Sequence, residues 1–127
     1  MDYGFSKEVN LSFDDTVAKA TEELKKEGFG VLTTIDVKDT LKQKLGIDFK
    51  RYVILGACNP PFAHKALQAE EAVGLLLPCN IVVTEKGTGC VVMAFDPMAM
   101  TKLTENETLA SIAGEVRERI QRVLDHL

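Results

Sequence analysis

Tyr52-Val53-Ile54-Leu55-Gly56-Ala57-Cys58 is an unbroken apolar run that stops at Asn59-Pro60-Pro61. Seven residues without a charge, closed by prolines, read as a central strand of a sheet. Pro61 suits the first turn of a helix, where the missing N–H would have no partner in any case. Phe62, Ala63, Ala66, Leu67 and Val73 then supply an apolar stripe, so a helix from Pro61 to Ala72 follows the strand.

The pattern extends outward on both sides. Tyr3 to Leu11 mixes aromatic and branched residues with Ser6, Lys7 and Glu8, which fits a strand near a sheet edge. Ser12 has the chemistry of an N-cap, with Asp15 three residues later. Phe13, Val17, Ala20 and Leu24 recur at helical spacing, and Gly28 supplies the stop. Phe29 to Ile35 is a second β-rich run. Asp36 and Asp39 repeat the capping pattern, Leu41 and Leu45 lie four apart, and Gly46 ends a short peripheral helix.

After that helix the chain is expected to be extended from Val73 to Pro78. Ile81 to Glu85 and Cys90 to Phe95 flank Lys86-Gly87-Thr88-Gly89, a β-hairpin pattern. Leu109, Ile112, Ala113, Val116, Ile120, Val123, Leu124 and Leu127 keep the 3.6-residue period to the end. The order is β-α-β-α-β-α-β-β-α. It implies an α+β fold of two layers, a mixed or mainly antiparallel sheet of about five strands with helices packed on one face. No repeat or linker divides residues 1–127, so one domain is expected.

Composition narrows the function classes. A chain of 127 residues with 46% apolar residues can bury a core unaided. A net charge of −4 and the lack of a basic cluster argue against nucleic acid as a partner. The N-terminal stretch lacks the basic and apolar segments of a signal peptide, and no apolar run is long enough to cross a bilayer, so a cytoplasmic protein with no membrane partner is expected. Three cysteines without a Cys-x-x-Cys spacing read as reduced thiols. Cys90 opens an apolar strand and reads as buried.

The other two cysteines stand in matching surroundings, Cys58-Asn59-Pro60 and Pro78-Cys79-Asn80. Each pairs a thiol with an amide, beside a proline that restrains the backbone. Lengths bring them together: a helix over 61–72 carries the chain about 18 Å away at roughly 1.5 Å per residue. Six extended residues return it about 20 Å at roughly 3.3 Å each. Cys79 then lies level with Cys58, and the hairpin brings Asp96 to the same end. Cys58, Asn59, Cys79, Asn80 and Asp96 form the candidate ligand-binding constellation. A single strand over 75–84 with a bulge at Pro78 would instead move Cys79 to mid-sheet and dissolve the cluster.

The block from Tyr52 to Pro61, with Ala63-His64-Lys65-Ala66-Leu67 and Val73-Gly74-Leu75-Leu76-Leu77-Pro78-Cys79-Asn80-Ile81-Val82-Val83, resembles the Domain of Unknown Function 302 (DUF302) family. The resemblance covers nearly the whole chain, and the two Cys-Asn segments carry most of its specificity. It implies a small prokaryotic α+β domain that forms a homodimer, with no established activity.

Three functional readings stay open. The first is a homodimeric module that binds a small molecule or a soft divalent metal such as zinc, with Cys58 and Cys79 as metal ligands and Asp96 or His64 completing the set. The bland counterpart is a pair of small residues filling strand ends. The second is a structural or protein-interaction module with inert cysteines. The third is a thiol enzyme or redox protein, in which the helix following Cys58 stabilises a thiolate and His64 is the available base. His64 shares its helix face with Lys65, Gln68 and Glu71, which favours plain solvation. Asn59 and Asn80 beside prolines fit turn-capping roles.

Overall fold

The computed structural model describes residues 1–127. Five strands form one sheet: β1 (Gly4–Val9), β2 (Gly30–Asp36), β3 (Tyr52–Cys58), β4 (Cys79–Lys86) and β5 (Gly89–Phe95). Their spatial order is β1-β5-β4-β3-β2, and every neighbouring pair is antiparallel. The α+β architecture read from the sequence holds, and the sheet is antiparallel throughout.

Local chemistry sets the helices. In α1 (Phe13–Lys26) the Ser12 hydroxyl accepts from the Asp15 N–H at 3.1 Å, and Asp14 and Asp15 sit where the helix dipole favours acids. Gly28 follows at φ +86, a left-handed conformation that turns the chain into β2. Asp36 caps α2 (Val37–Leu45) through the Asp39 N–H, and Gly46 ends it at φ +67. The α3 helix (Pro60–Ala69) starts at the prolines. The α4 helix (Glu107–Asp125) is capped by Asn106, whose side-chain oxygen accepts from the N–H groups of Thr108 and Leu109.

The core lies between one sheet face and the helices. Val53, Leu55 and Ala57 of β3, with Ile81 and Val83 of β4 and Val92 of β5, pack against Leu24 of α1 and Val116, Ile120 and Val123 of α4. Cys90 is buried in this cluster, as its apolar strand suggested. A smaller cluster under α3 joins Ala66, Val73, Met100 and Leu109. No helix is long and apolar enough to cross a membrane.

One element differs from expectation. Val73 to Leu76 is not extended: α3 stops at Ala69, Glu71–Leu76 forms a 3₁₀ helix, and only from Leu77 is the backbone extended. The spacing explains it. Val73 is buried and Leu76 half-buried, three residues apart, while Gly74 and Leu75 between them face water. That is the eclipsed i, i+3 face of a 3₁₀ turn, and a five-residue apolar run does not distinguish it from a strand.

Candidate functional site

Antiparallel pairing brings the two Cys-Asn segments to one end of the sheet. Ala57 lies opposite Cys79, so Cys58 stands one residue past the partner of Cys79. β4 begins level with the end of β3, and the 3₁₀ helix stands between α3 and β4 where extended residues were expected to make the return. Asp96 follows β5 at the same end.

Shared height does not mean a shared face. Cys58, Asn59 and Cys79 line a cleft between the sheet, α3 and α4. Asn80 is exposed and borders a depression on the opposite sheet face, because successive side chains of a strand alternate. Asp96 is occupied elsewhere: its carboxylate accepts from the Met98 N–H at 2.9 Å and lies 3.3 Å from Nε of Arg117. His64 is exposed on α3 and does not line the cleft. No group of three or more His, Cys, Asp or Glu side chains is placed to hold a metal. Two thiols alone leave half of a tetrahedral zinc site unfilled.

The cleft is about 340 Å³, and 15 of its 19 lining residues are hydrophobic. Its walls are Phe29 just before β2, Ala57 from β3, Phe62 and Ala66 from α3, and Leu109 and Ala113 from α4. Leu32 and Leu67 line it while staying 67% and 44% exposed, which marks its mouth. Leu32 takes that place because the β2–β3 register shifts between Val31 and Thr33, leaving it unpaired. These lining residues were not picked out as a site in the sequence. The available signal was the run of small side chains, Ala63, Ala66 and Ala113, where two apolar helix stripes meet.

The polar groups of the cleft are Thr33, Asn59 and the thiols. Asn59 is 8% exposed, and its side-chain N–H donates to the Glu27 carbonyl at 3.2 Å. The same carbonyl accepts from Nη1 of Arg119 at 3.1 Å. Two elements thus fasten the turn after α1, and the Asn59 amide lies against Gly28, where a Cβ would sit 3.1 Å from it. Burial, with the nearby Cys58 charge adding to it, pushes the Cys79 thiol up to about 11. Cys79 is therefore neutral at physiological pH, with roughly one part in ten thousand as thiolate. Chemically, the arrangement offers apolar surface with Cys58 and Cys79 at its sheet end.

Comparison with known proteins agrees in kind. The chain matches the family model described as Domain of unknown function DUF302 over residues 5–127. It is similar to a crystal structure of an uncharacterized conserved DUF302 protein from Bacillus stearothermophilus, with 31% identity and a TM-score of 0.91 over 99% of this chain and 98% of that one. No curated protein matches it.

Proposed function

The chain belongs to the DUF302 family, and from that premise we propose that it is a cytoplasmic, homodimeric single-domain module that holds an apolar small molecule in the cleft at the Cys58/Cys79 end of its sheet. The cleft itself carries the reading. A space of about 340 Å³ with 15 hydrophobic residues among 19 lining it falls within the range of ligand pockets, roughly 300–1,000 Å³. Water gains little there, because apolar walls offer it few hydrogen bonds. Cys79 contributes as a neutral, polarisable surface, which sets the ligand-holding role ahead of a thiol nucleophile at this position.

The test combines a native mass spectrum of freshly purified protein with a titration by the neutral fluorophore N-phenyl-1-naphthylamine. Saturable binding of one probe per chain is expected, and Ala66→Phe, which fills the cleft from α3, abolishes it while the circular dichroism spectrum stays unchanged. Absence of saturable binding in the parent protein sinks the proposal. A retained adduct in the mass spectrum would give the class of the natural ligand directly.

A further inference from the structure

The three central strands are apolar on both faces, while helices pack on only one. Side chains alternating with the buried core positions are Tyr52 and Ile54 on β3, Val82 on β4, and Val91, Met93 and Phe95 on β5. All six are only half-buried in the isolated chain. Strands apolar on both sides are characteristic of sheets covered on both sides. Here α1 and α4 pack on the face that carries the core, while α2, whose contacts are with β2 and β3, buries no residue. We propose that the bare face is the dimer interface, where a second copy of this chain packs sheet against sheet.

Area supports that occupant. Five strands spaced about 4.8 Å apart, each some seven residues long at about 3.3 Å per residue, give a flat face of roughly 550 Å². A stable interface uses about 800 Å² per partner. Ile35, Tyr3 and Met1 at the rim, 48%, 64% and 62% exposed, extend that face. A depression of about 440 Å³ bordered by Tyr3, Val82, Met93 and Phe95 offers a place for projecting side chains.

Charge fits the same partner. Glu8 and Lys86, on this side at the hairpin end, are paired with each other, so the face presents no unbalanced charge to its own copy. A two-fold axis brings one apolar patch onto the identical patch and closes the assembly at two chains. The two sheets would lie about 10 Å apart.

This inference rests on the dimeric part of the proposed function. Sedimentation equilibrium of the full chain, of Met93→Asp and of Ile35→Lys tests it, with circular dichroism as the control for folding. Ile35 is exposed in the isolated chain, so its substitution leaves the core intact. A dimer is expected for the parent chain, and each variant should dimerise at least about a hundredfold more weakly, the penalty for an unpaired charge in an interface. A monomeric parent chain overturns the dimer and its surface together. A dimer that persists in both variants overturns this surface alone.

Discussion

Cys58-Asn59 and Cys79-Asn80 share a dipeptide, a neighbouring proline and one end of the sheet, yet they do different work. Asn59 lies just past the last residue of β3, outside the strict alternation of the pleat, and its amide reaches the Glu27 carbonyl. Asn80 lies inside β4, one residue after Cys79, so the pleat turns it to the bare face when Cys79 lines the cleft. The difference teaches that a motif's chemistry is assigned by where a strand begins or stops. Identical residues one pleat apart belong to separate surfaces.

The sharpest way to probe this contrast is pH. Cys79 keeps its proton in the folded chain up to about 11, whereas an unfolded thiol loses it near pH 8.5. Between those values the unfolded state binds fewer protons, so stability is full below about pH 8.5 and falls as pH rises towards 11. The loss attributable to Cys79 should be on the order of 3 kcal/mol. Urea unfolding at both ends of that window, in the parent chain and in Cys79→Ala, isolates it by difference; equal losses in the two proteins would remove burial as the cause.

A smaller effect is expected at the first asparagine. Asn59→Ala should cost about 1 kcal/mol, because Arg119 still donates to the Glu27 carbonyl. Combining it with Arg119→Leu orphans that carbonyl, so the double variant should lose about 1 kcal/mol more than the sum of the singles. Strict additivity in denaturant titrations would mean that the two donors do not share one acceptor. The smallest effect belongs to the second asparagine: Asn80→Ala should leave unfolding within about 0.5 kcal/mol of the parent. A larger change would make the two segments equivalent after all.

Much of the scaffold was legible because its signals are local. Ser12, Asp36, Gly28 and Gly46 punctuate the first half of the chain, and each acts through atoms within a few residues of itself. The run from Tyr52 to Cys58 announced a central strand for the same reason. The side on which Asn80 falls was not legible, since it depends on the residue at which β4 starts pairing. Neither was the cleft, which is volume left unfilled where Ala66 and Ala113 face each other across two helices. Asp96 reached the expected end of the sheet, but Arg117, 21 residues away in the chain, sits against its carboxylate.

Leu77 and Pro78 border both the cleft and the depression on the bare face. A single partition thus separates the proposed ligand space from the proposed dimer surface. Such a partition ties two equilibria together, because free energy spent in displacing it from one side is felt on the other. Linkage then works in both directions: a molecule that tightens assembly tenfold by moving this wall is itself held tenfold more tightly by the assembled pair.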